Sequence, residues 1–406
     1  MIGRTTASQL LRSFRLPNFR MMWFSDATAS SAEQMEFLVL AWFVLTETNS
    51  PFLVGLFAAL RFTGTLLSPY YGILVDRYDR KRLLAGARMV FAVAALLVMF
   101  LSVTDQLQVW HVFVLVAVVG MVRSFDNVTR QTMIADIVDR RDLSNAIALT
   151  RNGRDATQIV GPVIGGIMLG RLGMSWTYAL IAALYAVGAL FASRLSLPAR
   201  TPIGRRSIIG DLAQTGRYVR REEVILALLL LAFIVNLTGF PLNLGLMPVF
   251  ARDVLGTDSA GLGQLLGAYA IGGFLGSMTI AGLSRMRRPG RVMLTASIAW
   301  HASIILVSQM KWFGPSVGLL LVIGVSQSFT MVTMSVLLLA AISPELRGRV
   351  MGLRSLAVYG LPIGLLVSGA VAERFGVPVA FLINGGLGII LTAAIATRLR
   401  GLWRAS

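Results

Sequence analysis

The stretch YGILVDRYDRKRLL, residues 71–84, decides the fold class. Six of the seven residues from Asp76 to Arg82 are charged, and an apolar run long enough to cross a membrane lies on each side. The chain as a whole is apolar: 56% of its 406 residues are hydrophobic and 14% are charged, whereas a soluble chain carries about 25% charged residues. This pattern is typical of a polytopic membrane protein, in which charged loops connect apolar helices.

Twelve apolar runs predict twelve transmembrane helices, because each run can cross a hydrocarbon core roughly 30 Å thick. None of them has the period of two that transmembrane strands require. We number them spans 1 to 12, and their predicted ranges are 19–46, 51–74, 83–104, 108–134, 143–170, 175–196, 223–250, 260–284, 291–311, 315–341, 349–372 and 377–399.

The chain also repeats itself at half its length. A shift of 203 residues superimposes Arg151 on Arg354, Gly161 on Gly364, Gly166 on Gly369, Arg171 on Arg374 and Gly173 on Gly376. Parallel repeats of this kind build one large class of transporters, whose site lies at the midplane between the halves. The sequence therefore predicts an N-terminal six-helix half at 1–196, a polar linker at 197–222 and a C-terminal six-helix half at 223–406.

The basic residues predict the orientation, since Lys and Arg are enriched in cytoplasmic loops. With the N-terminus inside, four of the 37 basic residues fall near outer loops and four fall further inside spans, and the other 29 lie in the termini, the inner loops and the inner ends of the adjoining spans. We therefore expect a multi-pass protein of the plasma (inner) membrane with both termini in the cytoplasm. Arginine greatly outnumbers lysine, which suggests a bacterial source. The net charge is +18, but the basic residues form no single patch, which argues against a nucleic-acid partner.

The charged stretch of residues 71–84 falls in the inner loop between spans 2 and 3. Gly72 permits close approach of helices, and Asp76 suits the N-terminus of a neighbouring helix. Arg77 and Arg80 offer forked donors to carboxylates. The alternative is a loop that is basic only because of the topology.

The same residues resemble the loop 2–3 signature of the major facilitator superfamily, which usually has glycine where this chain has Asp79. The resemblance implies an all-α membrane protein with twelve transmembrane helices in two pseudo-symmetric six-helix halves. It also implies a cytoplasmic gate that favours the outward-open state. The residues matched to the gate signature are Gly72, Asp76, Arg77, Asp79, Arg80, Lys81 and Arg82.

A second motif, TQIVGPVIGGIM at residues 157–168, lies in span 5. It resembles the antiporter signature of the superfamily, with Thr157 in place of the first glycine. Gly161, Gly165 and Gly166 allow close helix packing, and Pro162 removes a backbone hydrogen bond. The alternative is an ordinary contact of small residues between helices. The resemblance favours efflux over uptake.

Three further segments resemble the enterobactin-exporter and drug-efflux branch of the superfamily. They are residues 42–56 (WFVLTETNSPFLVGL), residues 124–149 and residues 342–364. The likeness covers most of the N-terminal half and the loop between spans 10 and 11. It implies a secondary transporter rather than an enzyme.

Span 1 carries three acidic residues, Asp26, Glu33 and Glu36. At about 100° per residue, Glu33 lies about 20° from Asp26 around the helix and Glu36 about 80° from it, so the three share one face. Intramembrane carboxylates are costly unless they meet a partner or a cavity, and they mark proton or ion pathways. Glu33 is expected to be the main proton carrier, with Asp26 and Glu36 as relay or cation-recognition residues. Asp26 could also be a shallow residue near the cytoplasmic surface, and Glu33 could belong to a structural ion pair.

Arg123 in span 4 is the predicted partner of these carboxylates. It could pair with a carboxylate of span 1 and modulate its charge, or it could pair only with nearby Asp126. We interpret the remaining arginines within spans, namely Arg61, Arg151 and Arg154, as structural pairs or snorkelling side chains.

The predicted second half is polar but uncharged at the corresponding places. Asn236, which the repeat matches to Glu33, lies seven residues before Asn243 in span 7, and Ser326, Thr330 and Thr333 form a stripe on span 10. We therefore include Asn236 and Asn243 in the pathway, with protons handled by the first half and an amphipathic substrate contacted by both halves.

Several chemistries have no candidate residues in the sequence. Cysteine is absent, and neither of the two lysines follows a glycine in a phosphate-binding motif, so no cofactor, metal or ATP site is predicted. His111 and His301 are expected to be isolated near the outer ends of spans 4 and 9. The function expected is proton-coupled antiport by a monomer that exports a drug-like or siderophore-like small molecule. The alternatives are an importer, a lipid transporter or a receptor that does not transport.

Overall fold

The computed structural model confirms an all-helical membrane protein. The residues that it describes are 12–139, 141–196, 218–219, 222–283, 286, 288–343, 346, 350, 353–354, 356–399 and 401–404. This part of the chain contains helices and short connections and no strand. Most of the predicted linker, 197–222, lies outside the described residues.

The helices of the first half correspond to spans 1 to 6. In chain order they are Pro17–Thr48 for span 1, Pro51–Leu60, a 3-10 turn Thr63–Leu67 and Ser68–Arg77 for span 2, Arg80–Val103 for span 3, Val109–Ile137 for span 4, and one helix, Leu143–Ser193, for spans 5 and 6. The long helix bends at Gly173, whose φ of 77° interrupts the helical backbone.

The helices of the second half correspond to spans 7 to 12. Span 7 consists of the helix Glu223–Thr238, the π-helical turn Leu242–Leu246, the short helix Met247–Val249 and the π-helical turn Phe250–Val254. The other helices are Ser259–Gly282 for span 8, Pro289–Ser308 for span 9, Phe313–Ala341 for span 10, Gly360–Phe375 for span 11 and Val377–Arg398 for span 12, followed by a terminal turn Gly401–Arg404. π-Helical turns are rare in proteins, and those that do occur often lie at functional sites.

Eight helices of the described chain are long and apolar enough to cross a membrane. One of them, Leu143–Ser193, contains two predicted spans joined at Gly173. Span 1 is not among the eight, and it carries the three acidic residues. Spans 2 and 11 are divided into shorter segments. Counted in this way, the helices agree with the twelve predicted spans.

The internal repeat is visible in the contacts of each half. A Cβ on Gly161 would meet the Gln34 side chain at 2.6 Å, and a Cβ on Gly364 would meet the backbone oxygen of Leu237 at 2.1 Å. Gln34 and Leu237 are themselves 203 positions apart. The same holds for the bends, because Gly173 and Gly376 both have a positive φ. Span 5 therefore packs on span 1 in the same register as span 11 packs on span 7.

The chain divides into two compact units. Unit 1 combines Met1–Phe43 with Leu60–Arg205, and unit 2 combines Val44–Ala59 with Arg206–Ser406. The end of span 1 and the start of span 2 therefore pack with the second half of the chain. The division into 1–196, 197–222 and 223–406 stays a prediction.

The close contact at Gly161 predicts opposite effects of alanine at two glycines. Gly161→Ala should lower the free energy of unfolding by about 1–3 kcal/mol, because the new methyl group overlaps Gln34. Gly86→Ala, where no atom lies within 4 Å of the new Cβ, should raise it by about 0.5–1 kcal/mol through helix propensity. Thermal unfolding of the detergent-purified variants checks both signs. A Gly161→Ala protein as stable as the wild type would contradict the packing.

Candidate transport site

The glycine face of span 5 fixes the rotation of span 1. The hydroxyls of Thr157 and Ser30 lie 2.7 Å apart, and a Cβ on Gly165 would meet Met35 at 3.1 Å. Thr157, which replaces the first glycine of the signature, thus bonds span 1 instead of leaving room for it. Pro162 and Gly166 are buried in the same helix. This packing occupies one face of span 1 and leaves its carboxylates to the other helices of the first half.

Arg123 of span 4 joins two carboxylates of span 1 in what we call the central cluster. Its Nη1 lies 2.6 Å from Oε1 of Glu33, and its Nη2 donates to Oε2 of Glu36 at 3.1 Å. Arg61, at the end of the first helix of span 2, donates to Oε1 of Glu33 at 3.2 Å. The Tyr185 hydroxyl of span 6 donates to Oε2 of Glu36 at 2.9 Å. Four helices therefore converge on two carboxylates.

The central cluster is electrically balanced, with two guanidinium groups and two carboxylates. Aromatic rings border it, since the guanidinium carbon of Arg61 lies 4.4 Å from the ring centre of Phe37 and that of Arg123 lies 5.5 Å from that of Phe91. Cations over ring faces gain further electrostatic stabilisation. A balanced cluster beside apolar rings keeps these charges out of water at a tolerable cost, because each has a partner.

A second group, the inner cluster, surrounds Arg88 of span 3. The Arg88 guanidinium bonds Asp26 and Ser25, and its Nε lies 3.3 Å from Oδ1 of Asp126. Arg130 of span 4 lies 3.7 Å from Oδ2 of Asp26. Arg88 is 1% exposed, so its two carboxylate partners make its burial possible.

The two clusters decide between the alternatives that the sequence leaves open. Arg123 pairs with Glu33 and Glu36, whereas Asp126 pairs with Arg88. Asp26 is buried and paired with Arg88, so it is not a solvent-exposed residue, and its depth in the membrane stays a prediction.

Four residues of the clusters are missing from the sequence prediction: Ser25, Arg88, Arg130 and Tyr185. The prediction counted Arg88 and Arg130 with the basic residues that set topology, because each lies close to the inner end of its span. This was wrong, since both are buried. Their position inside a span is the signal that could have identified them. Nothing in the sequence marks Tyr185 as a member of the cluster, because tyrosine is common in apolar helices.

A small cavity of about 10 Å³ borders the inner cluster. Asp26, Ser30, Arg130 and Arg154 are among the residues that line it. Oδ2 of Asp26 and Nε of Arg130 are buried without a hydrogen-bond partner in the described chain. A cavity of this size holds one water molecule, which could bond both atoms. Arg154 thus borders a polar cavity, whereas Arg151 forms the predicted kind of structural pair, at 4.0 Å from Asp155.

The gate residues lie where span 2 ends and span 3 begins. Arg80 lies 2.5 Å from Asp136 of span 4, and its Nε donates to the Val75 carbonyl at 3.3 Å. This contact lies within the first half, so a latch between the halves stays a prediction. Arg77, Lys81 and Arg82 lie on the same stretch, and the surroundings of Gly72 and the side chain of Asp76 are outside the described part of the chain.

Asp79, the departure from the gate signature, has a clear local role. Its carboxylate accepts the backbone N–H of Lys81 at 3.0 Å and caps the helix of span 3. Its φ of −63° is ordinary for any residue, so glycine is not required here. Asp79 also lies 3.6 Å from the exposed side chain of Arg82. Aspartate is a preferred N-cap residue, which explains the substitution.

The described buried polar residues of the second half carry no acidic or basic side chain except His301. Asn236 donates to its own helix at the Ala232 carbonyl, at 2.7 Å. Oδ1 of Asn243 and Oγ1 of Thr333 are buried without a hydrogen-bond partner in the described chain. Oδ1 of Asn243 can therefore accept a further hydrogen bond, and Oγ1 of Thr333 can accept or donate one.

Both histidines have hydrogen-bond partners, and within the described chain neither belongs to a group of residues that could hold a metal ion. His301 is buried, with Nε2 at 2.8 Å from the Thr238 hydroxyl and Nδ1 at 2.8 Å from the Ser297 carbonyl. Gly388 of span 12 leaves the space for its ring, since a Cβ there would lie 1.9 Å from it. Nδ1 of His111 accepts the backbone N–H of Gln108 at 3.0 Å and caps span 4. Sequence distance from other polar residues concealed these contacts.

With the fold and the charge clusters described, comparisons with known proteins identify the family. The model of the transmembrane secretion effector family matches residues 8–402. The chain belongs to this family, which is part of the major facilitator superfamily. It is therefore a membrane transporter of an efflux family and not an enzyme.

Three curated relatives are efflux proteins. Macrolide efflux protein A of Streptococcus pyogenes is 23% identical, with 91% of this chain and 93% of the relative covered. The multidrug efflux pump Tap of Mycolicibacterium fortuitum is 26% identical, with 89% and 91% covered. The enterobactin exporter EntS of Shigella boydii is 25% identical, with 86% and 83% covered.

Solved structures confirm the fold. A variant of the nucleoside transporter NupG aligns with a TM-score of 0.76 at 16% identity and covers 94% of this chain and 99% of its own. The POT family transporter PepTSo aligns with a TM-score of 0.76 at 10% identity and covers 96% of this chain and 99% of its own. Likeness at this level of identity shows the architecture of the major facilitator fold.

Arg88 should be essential for the stability of this transporter. Arg88→Gln leaves Asp26 and Asp126 buried without their guanidinium partner, so we expect a loss of about 3–5 kcal/mol in the free energy of unfolding. Adding Asp126→Asn should restore part of the loss. Arg82→Gln is the matched control, because its side chain is 87% exposed. Equal thermal unfolding midpoints for Arg88→Gln and Arg82→Gln would refute the structural role.

Proposed function

We propose that this transporter exports an amphipathic small molecule, drug-like or siderophore-like, in exchange for protons by alternating access. The observation that carries the proposal is the central cluster, in which one guanidinium bridges two carboxylates inside the helices of the first half. Intramembrane carboxylates on a transporter are by default part of an ion or proton pathway. The relatives that export macrolides and enterobactin support the substrate class.

Arg123 supplies the coupling in this proposal. When a proton neutralises one of its carboxylates, the corresponding ion pair is lost and part of the guanidinium becomes available to another partner. A bound ligand or a changed helix position can then stabilise the freed donor. Proton binding and substrate binding thereby become linked through one side chain, and linkage of this kind acts equally in both directions.

Two carboxylates compete for the role of proton carrier. Glu33, the sequence candidate, accepts from both Arg61 and Arg123, so its protonation would weaken two charged contacts. Glu36 accepts from Arg123 and from the neutral Tyr185 hydroxyl, so its protonation would weaken only one. This difference favours Glu36 as the carrier in the present conformation. Asp26 would act as a relay through the cavity beside it.

The remaining predicted residues complete the proposal. Asn243, with its unpartnered Oδ1, and Asn236 would offer neutral contacts to the substrate from span 7. Asp76, Arg77 and Arg80 would form the inner gate, with both termini in the cytoplasm. The protein would function as a monomer in the inner membrane of a bacterium.

Transport by everted vesicles of an efflux-deficient host tests the proposal. The vesicles are supplied with cationic dyes, macrolides and siderophores, and uptake into their lumen is measured with and without a proton gradient. Glu36→Gln and Glu33→Gln should each lower gradient-driven uptake at least tenfold, because a neutral amide cannot carry the proton. Counterflow, which exchanges substrate without net proton movement, should survive in the variant that lacks the true carrier. Glu47→Gln, an exposed residue of the same helix, is the control.

Each other outcome has a defined meaning. Full gradient-driven uptake by both glutamine variants would exclude proton antiport through span 1. Loss of counterflow together with gradient-driven uptake would mean that the carboxylates bind substrate or hold the fold instead. Uptake only into right-side-out vesicles would reverse the direction and favour an importer. Absence of flux for every compound, with binding retained, would favour a receptor.

A further inference from the structure

The corner between spans 1 and 2, which we define as residues 48–51, is held by side chains distant in the sequence. Span 1 ends at Thr48 and span 2 begins at Pro51. The corner belongs to unit 2, together with the second half of the chain. Two charged residues of that unit, Arg252 and Glu373, bond the corner, and neither contact was predicted from the sequence.

Glu373 of span 11 completes the N-terminus of span 2. Its Oε2 accepts the backbone N–H of Phe52 at 3.0 Å and the hydroxyl of Ser50 at 2.8 Å. Ser50 in turn accepts the N–H of Leu53 on its side-chain oxygen, at 3.1 Å. Pro51 has no N–H to satisfy. Glu373 therefore takes a donor that the helix itself leaves unpaired, and its negative charge lies at the positive end of the helix dipole.

Arg252 of span 7 completes the C-terminus of span 1. Its Nη1 donates to the Leu45 carbonyl at 2.8 Å and to Oδ1 of Asn49 at 2.9 Å. Asn49 has a positive φ of 51°, a backbone conformation typical of the residue that ends a helix. Oδ1 of Asp253 pairs with the same guanidinium, at 2.6 Å from Nε of Arg252. A positive charge thus lies at the negative end of the dipole of span 1.

Glycines bring the backbones together below these two caps. A Cβ on Gly55 would lie 2.5 Å from the Leu365 carbonyl oxygen, and a Cβ on Gly369 would lie 3.0 Å from that of Pro51. Spans 2 and 11 therefore touch backbone to backbone, as small residues allow in membranes. This glycine contact brings Glu373, one turn further along span 11, within reach of the corner.

The caps are accessible to water, which makes them weak enough to open. A cavity of about 430 Å³ adjoins them, lined in part by Pro51, Asp253 and Ala372. Glu373 itself is exposed. Charges that cap helix ends near solvent stabilise by only a fraction of the energy of a buried ion pair. Such contacts suit a fastening that forms and breaks repeatedly.

We propose that Arg252 and Glu373 are positioning residues of the transport cycle, which fasten the corner of spans 1 and 2 to the second half and release it in the opposite conformation. The inference rests on the alternating access that we propose for the function. Arg252 caps the end of span 1 and Glu373 caps the start of span 2, so the two helix ends that meet at the corner are held by caps of opposite charge. The residue pair acts on the helix ends and does not touch the carboxylates of the central cluster.

Thiol labelling tests the fastening directly, since the chain contains no cysteine. Ala58→Cys places a single reporter one turn beyond Gly55, at a position that is 2% exposed. A membrane-impermeant maleimide is applied to intact cells, and the labelling rate is measured. Glu373→Ala should raise the rate about two- to fivefold, because a charged helix cap of the strength expected near solvent is removed. Glu373→Gln, which keeps an acceptor oxygen, should have a smaller effect, and Arg252→Gln should raise the rate as Glu373→Ala does.

Two controls separate release of the corner from damage to the fold. Asp105→Asn removes an exposed acidic residue on the same predicted side of the membrane and should leave the rate unchanged. A second reporter, Ala189→Cys, lies buried in the first half, and it should stay unlabelled in every variant. An unchanged rate at Ala58→Cys in Glu373→Ala, or a rise at both reporters, would overturn the proposal. Labelling needs neither substrate nor gradient, so a failed transport assay would not affect this result.

Discussion

Charge burial within the helices of the first half is the constraint on which this structure depends. Arg88 can lie at 1% exposure only because Asp26 and Asp126 accept from it. Arg123, which is 18% exposed, is balanced in a similar way by Glu33 and Glu36. Removing one partner of such a pair costs several kcal/mol. Spans 1, 3 and 4 are therefore tied together by contacts that are expensive to break, and we expect them to move as one body during transport.

The contacts at the corner of spans 1 and 2 have a different energy scale. Glu373 and Arg252 bind helix ends beside an accessible cavity, and such caps contribute about 0.3–1 kcal/mol each. A transporter needs both kinds of contact. The expensive pairs preserve the shape of a half, and the weak ones are exchanged when the protein changes conformation.

The duplication shows which features the fold requires and which serve chemistry. Glycine contacts recur at the same offset in both halves, as Gly161 against Gln34 and Gly364 against Leu237, because backbone approach between two helices leaves no room for a side chain. The carboxylate of span 1 does not recur, since Glu33 of the first half corresponds to Asn236 of the second. The two halves therefore share the packing but not this carboxylate, which is consistent with a division between proton handling and substrate contact.

The sequence alone determined the helices, their approximate ends, the repeat, and the acidic face of span 1. These features depend on local composition and on a helical period that every apolar segment obeys. Span 1, for instance, was predicted at 19–46 and runs from Pro17 to Thr48. The acidic face was also predictable, because the spacing of Asp26, Glu33 and Glu36 fixes their angles around the helix.

Only the tertiary structure decided which partners these residues have. Arg88, Tyr185, Arg252 and Glu373 reach their partners across 62, 149, 207 and 321 residues of sequence. Such contacts depend on how each helix is rotated and how closely its glycines let it approach, and a single sequence contains no period that reports either. Charged residues near helix ends are also ambiguous, because the same arginine can set topology or enter the core. Packing resolves that ambiguity.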